Sequence, residues 1–219
     1  MLSVEEVLDA LKMILVGTPL KEVLTSLTRL IESKGDGMLC SIFLLERDGL
    51  HLRYAAAPSL PESYRSATDG IAVGPDVGSC GTAAFTRQSI FVSDILADLK
   101  WVRFRDSAVA AGLRASWSSP ILSHEGEVLG TFGMYYRDIR SPGQSEIELI
   151  DNASRIAGIA IERDRSSAAL LMAFEDIKKS EGQLRQTVDA IPQTIVVLGA
   201  DGSVLYANHA VQDYTGLSG

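Results

Sequence analysis

The chain has 219 residues, of which 46% are hydrophobic and 22% charged, and its formal net charge is -8. This composition is typical of a folded globular protein with room for one domain and part of another. The negative charge disfavours nucleic acid and anionic membranes as partners, and the longest apolar stretch, from Ala168 to Phe174, is far shorter than the ~20 residues of a membrane span. The acidic N-terminus, with Glu5 and Glu6, is unlike a signal peptide. We therefore expect a cytoplasmic segment with no membrane span and no nucleic-acid partner.

The first 34 residues predict two amphipathic helices. Apolar residues keep helical spacing in both segments, and the helix breakers Gly17-Thr18-Pro19 separate them. Thr18 suits the N-cap of the second helix, with Pro19 at its first helical position. The helical stripe ends at Gly35-Asp36-Gly37, where a strand pattern begins.

The middle of the chain predicts strands and short helices. Strands at 38–45 and 50–55 flank Arg47-Asp48-Gly49, which is typical of a hairpin tip. A loose section from Pro58 onward follows. After it we expect, in order, a short helix at 78–85, a strand at 89–92, one helix at 97–112, and strands at 114–123 and 127–137 joined by His124-Glu125-Gly126.

From Ser145 to Pro192 the pattern is that of one long helix with coiled-coil character. Its apolar residues are spaced by threes, fours and sevens, with a phase break near Ala168 to Leu171. This stripe is longer than a sheet of the predicted size can cover, so we expect its surplus to form a parallel homodimer. The stripe consists of Ile147, Ile150, Ala157, Ile161, Phe174, Ile177, Leu184 and Val188.

Several ordered motifs resemble the GAF domains of bacterial sensory proteins. The motifs are Gly78-Ser79-Cys80-Gly81-Thr82-Ala83-Ala84, Ile90 to Ile95, Trp101, Gly112 to Ile121 and Val128 to Phe132. The resemblance implies an α+β fold built on an antiparallel sheet of five or six strands. It places the N- and C-terminal helices on one face and the mid-chain connections on the other, where such domains often hold a small ligand.

The last segment resembles the opening third of a PAS domain, the usual neighbour of such GAF domains. The resemblance rests on Ala190-Ile191-Pro192, Asp201-Gly202, Tyr206-Ala207-Asn208 and Tyr214-Thr215-Gly216. The chain then divides into an N-terminal helix (1–18), a GAF sensory domain (19–162), a signalling helix (163–191) and an incomplete PAS domain (192–219).

These resemblances imply the sensory segment of a larger bacterial signal-transduction protein. Its work would be ligand binding and dimerisation rather than catalysis. The implied effector is a sensor histidine kinase of a two-component system, with a diguanylate cyclase or phosphodiesterase as the alternative. Two further hypotheses are a GAF-fold free methionine-(R)-sulfoxide reductase and a domain without a ligand that only dimerises.

Aromatic and polar residues in the middle of the chain are the candidate pocket walls. Strand alternation places Trp117 and Ser119 on one face of their strand, and the indole N–H of Trp117 and the guanidinium of Arg105 would need partners in an interior. Ordinary core packing is the alternative interpretation for Phe132 and Met134. The candidate ligand-binding residues are Cys80, Trp101, Phe104, Arg105, Trp117, Ser119, Phe132, Met134 and Tyr136.

Cys80 lies among Gly78, Ser79 and Gly81, where a turn from strand to helix would leave backbone N–H groups unpaired. Such a place could lower the pKa of a thiol or bind a ligand oxygen, or the small residues could serve close packing alone. Reductase chemistry needs further cysteines. The strand expected to supply the attacking one has none, and Cys40 is the other thiol of the chain.

The sequence leaves the identity of any cofactor open. Two cysteines are too few for a cysteine-ligated iron–sulfur cluster, and neither is followed by histidine as in bilin-binding GAF domains. His51, His124 and His209 lie in no motif that identifies a haem ligand. The motifs of cyclic-nucleotide-binding GAF domains are also absent. We therefore expect no haem, bilin, iron–sulfur or metal site.

Overall fold

A computed structural model describes residues 2–211 of the chain. The chain forms two compact units, Met1–Asp164 and Arg165–Gly219. The first unit contains a six-stranded sheet with helices on both faces, and the second contains a hairpin.

Two helices open the first unit, α1 (Val4–Leu15) and α2 (Leu20–Glu32). Ser3 caps α1 through a capping box, since its hydroxyl accepts from the Glu6 amide and its own amide donates to the Glu6 carboxylate. Helix α2 begins one residue later than predicted. Pro19, with ψ of 137°, is its N-cap in place of Thr18.

The sheet contains six strands in the spatial order β3-β2-β1-β6-β5-β4, and every neighbouring pair is antiparallel. This confirms the predicted α+β fold with an antiparallel sheet of five or six strands. The strands are β1 (Leu39–Leu45), β2 (His51–Ala56), β3 (Ile71–Ala72), β4 (Ile90–Val92), β5 (Ala115–Leu122) and β6 (Val128–Tyr136).

Three short helices, α3 (Glu62–Thr68), α4 (Gly78–Thr86) and α5 (Arg105–Ala110), lie between the strands. The prediction of one helix over 97–112 is wrong. That segment forms a 3-10 turn, Leu99–Trp101, and then α5. The Asp98 side chain caps the 3-10 turn by accepting from the Lys100 amide at 2.8 Å. Phe104, with φ of -118° and ψ of 0°, interrupts the helical conformation between the 3-10 turn and α5.

The two faces of the sheet carry different layers. Helices α1, α2 and the C-terminal helix α6 (Gln144–Asp189) pack on what we call the helix-facing side, where Phe132 and Met134 of β6 join the largest apolar cluster. On the opposite face, which we call the cavity side, Tyr135 of β6 and Phe43 of β1 contact residues of the mid-chain helices. Successive strand residues therefore belong to different layers, as the period of two requires.

Helix α6 (Gln144–Asp189) extends over 46 residues. Glu146 holds its first turn, because its carboxylate accepts from the Gly143 amide at 2.9 Å and from the Arg140 guanidinium at 2.6 Å. Buried residues from Leu149 to Ile161 pack this part of α6 on the sheet. Within residues 2–211, α6 and the other helices all lack the combination of length and apolar character that a membrane crossing needs.

The second unit contains the rest of α6 and a hairpin of β7 (Val196–Leu198) and β8 (Val204–Ala207). The fully buried Asn208 joins these parts, since its amide group donates to the carbonyls of Val188, Ile191 and Gln193, while its side-chain oxygen accepts from the Ile195 amide. The Tyr214-Thr215-Gly216 motif lies outside the described residues.

Gly158 allows α6 to approach the sheet closely. A Cβ at this position would lie 2.8 Å from the Leu122 carbonyl oxygen. We expect Gly158→Ala to destabilise the protein by about 1 to 2 kcal/mol, because overpacking costs about 1 to 3 kcal/mol and exceeds the helix-propensity gain of about 1 kcal/mol. Urea unfolding followed by circular dichroism measures this.

Gly182 supplies the matched control, because a Cβ there has no atom within 4 Å among the described residues. Gly182→Ala should leave the urea midpoint of the sheet domain unchanged and slightly raise helicity. A Gly158→Ala protein as stable as the wild type would mean that α6 can move away from β5 without loss.

Candidate functional site

A cavity lies on the cavity side of the sheet, between β1 and β6 below and α3, α4 and the 3-10 turn above. It has about 270 Å³ of empty space, counting its opening to solvent. Phe43, Tyr64, Trp101, Phe104 and Tyr135 supply aromatic walls. The remaining lining residues are Thr68, Ile71, Val77, Gly78, Ser79 and Cys80.

Small residues bring the start of α4 close to the sheet and to the cavity. Gly78 has φ of +57°, a left-handed conformation that favours glycine, and a Cβ there would touch the Trp101 ring at 3.8 Å. A Cβ on Gly81 would lie 2.6 Å from the Ala72 carbonyl oxygen. The backbone conformation therefore favours glycine at position 78, and close packing requires it at position 81.

A short hydrogen-bonded chain links the cavity wall to the sheet. The Trp101 indole N–H donates to the Ser79 hydroxyl at 3.2 Å, and that hydroxyl donates to the Ser116 carbonyl at 3.1 Å. All three residues are buried. Ser79 thus fixes the orientation of Trp101 relative to β5.

Cys80 lies over Gly133 within a group of buried hydroxyls. A Cβ on Gly133 would be 2.9 Å from the Ser41 hydroxyl, 3.1 Å from the Tyr135 hydroxyl and 3.2 Å from the Cys80 sulfur. The Tyr135 hydroxyl lies 3.6 Å from that sulfur and 3.2 Å from the Ser41 hydroxyl. The absence of a side chain on Gly133 is what lets this group assemble.

Burial controls the ionisation of this group. Desolvation raises the pKa of the Cys80 thiol, and the neighbouring hydroxyls of Ser118, Tyr135 and Thr131 offset this only in part. Desolvation also raises the pKa of Tyr64 and of Tyr135 well above the usual value. The start of α4 therefore does not produce a reactive thiolate, and Cys80 is neutral at physiological pH.

The structure does not bring the nine predicted site residues together. Cys80, Trp101 and Phe104 line the cavity, whereas Arg105 donates to the Asp98 carbonyl at 3.0 Å and is not part of the wall. Placing the remaining five in the cavity was wrong, because they face the helices. These five are Trp117, Ser119, Phe132, Met134 and Tyr136.

Contacts on the helix-facing side explain this placement. The rings of Trp117 and Tyr136 contact each other at a tilt of 47° with centroids 4.5 Å apart, and the Arg140 guanidinium lies 4.3 Å from the Tyr136 centroid and 5.5 Å from that of Trp117. Ser119 accepts from Ser89 and donates to Asp151 of α6. Alternation correctly predicted which residues share a face, but it cannot say which layer covers that face.

Sequence reasoning missed most of the cavity wall. Tyr135 and Phe43 are the aromatic residues of β6 and β1 on the cavity side, and Tyr64 and Thr68 come from α3, in the section predicted to be loose. The available signal was the run of small residues at Ser116, Ser118 and Gly133, which marks the face that α4 approaches.

The histidines and cysteines lie apart from one another. The Nδ1 atom of His51 is 2.6 Å from Asp48, that of His124 is 2.6 Å from Glu162, and both histidines are outside the cavity wall. Cys40 belongs to the helix-facing cluster and Cys80 to the cavity side, so the two buried thiols lie on opposite faces of the sheet.

The family model of the GAF domain matches residues 17–162, two thirds of the chain. The chain belongs to the GAF domain family. The match includes all six strands of the sheet and every element that lines the cavity.

A curated relative and two solved structures resemble this GAF protein. The methyl sulfide methyltransferase-associated sensor of Methanosarcina acetivorans is 38% identical over 203 residues, which are 92% of this chain and 20% of the relative. The chain thus spans about a fifth of that relative.

A domain described as belonging to a two-component sensor histidine kinase protein from Sinorhizobium meliloti is 27% identical, with a TM-score of 0.58 over 70% of this chain and 97% of that one. Free methionine-R-sulfoxide reductase from Neisseria meningitidis, in complex with its substrate, is 16% identical, with a TM-score of 0.58 over 74% of this chain and 90% of that one. The likeness to the Neisseria meningitidis enzyme concerns the fold alone.

We expect the Cys80 thiol to be unreactive in the folded protein. Because it is buried and its pKa is raised, iodoacetamide should modify it on the order of 100-fold more slowly at pH 8 than in denaturant. Mass spectrometry of a Cys40→Ser variant isolates the signal of Cys80. Rapid stoichiometric modification would indicate an accessible thiolate instead.

Proposed function

We propose that this chain is the sensory module of a longer signal-transduction protein, in which ligand occupancy of the GAF cavity is relayed through α6. The observation that carries this proposal is the aromatic cavity at the start of α4, in the same unit as the buried first part of α6. The module itself would bind and relay, without catalysing a reaction.

The relatives support this proposal. One is a methyl sulfide methyltransferase-associated sensor of which this chain spans a fifth, and another is a domain of a two-component sensor histidine kinase protein. We infer that the effector here is a histidine kinase elsewhere in a longer protein, with a diguanylate cyclase or phosphodiesterase as the alternative. We further propose a bacterial or archaeal cytoplasmic setting.

Contacts at the start of α6 support a relay. The segment after β4 leads to Trp101 in the cavity wall, and its first residue, Ser93, binds the chain just before α6. The Ser93 carbonyl accepts from the Arg140 amide at 3.1 Å, and the Ser93 and Ser141 hydroxyls are 2.7 Å apart. Arg140 in turn binds Glu146 in the first turn of α6. A ligand that displaces Trp101 would therefore act on this connection.

We propose that the chain divides into an N-terminal helix at 1–18, a GAF domain at 19–162, a signalling helix at 163–191 and the beginning of a PAS domain at 192–219. The hairpin of β7 and β8, joined to the end of α6 through Asn208, supports a separate unit at the end of the described chain.

The two thiols argue against the reductase alternative. In a sulfoxide reductase that uses one thiol to attack and another to resolve, the two sulfurs must come close enough to form a disulfide, in which they are about 2 Å apart. Cys40 and Cys80 are the chain's two cysteines and lie on opposite faces of the sheet. The fold that this chain shares with the Neisseria enzyme is therefore no reason to propose the same reaction here.

The proposed homodimer pairs the second half of α6 with that of another copy. Phe174, Ile177 and Leu184 are each about two thirds exposed in the single chain and follow the coiled-coil spacing. We expect a dimer in sedimentation velocity at tens of micromolar, and Leu184→Glu should shift it to monomer because a carboxylate would be buried in the seam.

Gln183→Glu is the control for this variant, because it introduces the same side chain one residue away and off the stripe, and it should remain dimeric. A wild-type chain that sediments as monomer at tens of micromolar would contradict the proposed pairing.

The relay through α6 depends on helical phase. One residue inserted after Ala173 rotates everything downstream by ~100° and should lock or invert the output, whereas seven residues largely restore the phase and should preserve regulation. Effector output in the protein that carries the downstream domains is the measurement. If effector output is the same after both insertions, α6 only tethers the GAF domain to the effector.

A further inference from the structure

The tip of the hairpin between β5 and β6, residues 123–127, is a tightly bonded turn. The Ser123 hydroxyl accepts from the amides of Glu125 and Glu127, at 3.2 and 3.1 Å. The Ser123 amide donates to the Glu127 carbonyl at 2.8 Å, and the Gly126 amide donates to the Ser123 carbonyl at 3.0 Å. Because these bonds lie within five consecutive residues, we expect the hairpin tip to move as one piece.

Two different helices bind this hairpin tip. Arg87, the residue that follows α4, donates to the Gly126 carbonyl at 3.4 Å and to the Glu127 carboxylate at 3.2 Å. Glu162 of α6 accepts from the His124 amide at 3.2 Å, and the same carboxylate oxygen lies 2.6 Å from the Nδ1 atom of His124. The hairpin tip therefore joins the helix beside the cavity to the helix of the proposed relay.

Glu162 lies where α6 passes out of the first unit. The last buried residue of α6 is Ile161, and the first unit ends at Asp164. Gly158 lies one turn before Glu162, on the same face of the helix, and packs against the Leu122 carbonyl. The hairpin therefore contacts α6 at two successive turns, through backbone packing at the first and a hydrogen-bonded pair at the second.

The pair of His124 and Glu162 responds to protons. Hydrogen bonding to Glu162, together with its charge, raises the pKa of His124 above the ordinary value of 6.5. The same hydrogen bonds lower the pKa of Glu162 below 4.5. Glu125 also faces the imidazole, at 3.8 Å from Nε2, and raises the pKa of His124 less. The remaining charges at the hairpin tip, Arg87 and Glu127, pair with each other.

These shifts make the contact strongest in weakly acidic solution. His124 contributes its full stabilisation below pH 6.5 and loses it as pH rises through the raised pKa of the folded chain. Glu162 contributes above pH 4.5 and loses its part as pH falls through its own lowered pKa. At high pH a neutral imidazole can still donate from Nδ1, but the bond is weaker because the donor no longer carries a charge.

Building on the proposed relay through α6, we propose that the hairpin tip is a proton-sensitive clamp, in which protonated His124 holds Glu162 where α6 passes out of the first unit. Arg87 fixes the same tip to the end of α4. A rise in pH therefore loosens α6 at this point and weakens its connection to α4.

The pKa of His124 in the full 219-residue chain is the first measurement. NMR titration, with the imidazole signal assigned through His124→Gln, should give a value above 6.5 in the wild type. Glu162→Gln keeps the shape of the side chain but removes its charge, so it should lower this pKa. Glu125→Gln is the matched control and should lower it less, because its carboxylate is farther from the ring. Equal pKa values in the wild type and Glu162→Gln would overturn the clamp.

Amide exchange of residues 158–164 measures the clamp itself, with the buried Leu24 amide of α2 as the reference for opening of the whole unit. After correction for the intrinsic effect of pH, relative protection should be about two- to fivefold higher at pH 5.5 than at pH 8, as for a surface ion pair. Glu162→Gln should remove this difference, whereas Arg87→Gln, which breaks the other attachment of the tip, should leave it. Wild-type protection that is independent of pH would overturn the proposal.

Effector output separates the clamp from the relay on which it rests. In the protein that carries the downstream domains, Glu162→Gln should change output at pH 5.5 and have less effect at pH 8. If Glu162→Gln has no effect at either pH while one residue inserted after Ala173 alters output, the regulatory role of the clamp is overturned and the relay stands. If neither change alters output, the relay through α6 is overturned as well.

Discussion

The close approach of α4 to the sheet is the constraint on which the cavity depends. Gly81 has no room for a side chain against β3, and Gly133 has none beneath Cys80. With larger residues at these positions α4 would be displaced outward, and Ser79 could no longer bridge Trp101 and β5. The position of Trp101, and with it the wall of the cavity, thus follows from glycines that never touch a ligand.

The helix-facing side of the same strands carries large side chains where the cavity side needs small ones. Its large side chains, with Trp117 and Phe132 fully buried, fill the space under α2 and α6. Arg140 covers the aromatic pair of Trp117 and Tyr136 and holds Glu146 at the start of α6. One strand pair thereby supports a rigid apolar layer on one face and a cavity on the other, and α6 is anchored in the rigid layer.

The fold could be predicted from the sequence more fully than the site. Strand alternation, the Asp-Gly hairpin tip and the long helical stripe are local signals, and five of the six strands and α6 follow from them. The two-residue β3 and the seven-residue α3 are too short to show a period. Assigning Trp117 and Phe132 to the cavity wall was wrong because strand alternation does not reveal which layer covers a face. Large aromatic residues are as typical of a core as of a pocket wall.

The surface of the sheet under α4 carries several small polar side chains. The hydroxyls of Ser116, Ser118 and Thr131 are buried; those of Ser118 and Thr131 lie next to the Cys80 thiol, a weak hydrogen-bond partner, whereas that of Ser116 has no hydrogen-bond partner among residues 2–211. An unsatisfied buried polar group costs about 1 to 3 kcal/mol, so an apolar seat would hold α4 more firmly. A small shift of α4 would let ordered water reach these hydroxyls, whereas a shift of α6 on the opposite face would lose apolar contacts and the hydrogen bond from Ser119 to Asp151. The buried hydroxyls therefore lower the free-energy cost of moving α4, beside the cavity, relative to an apolar surface of the same shape.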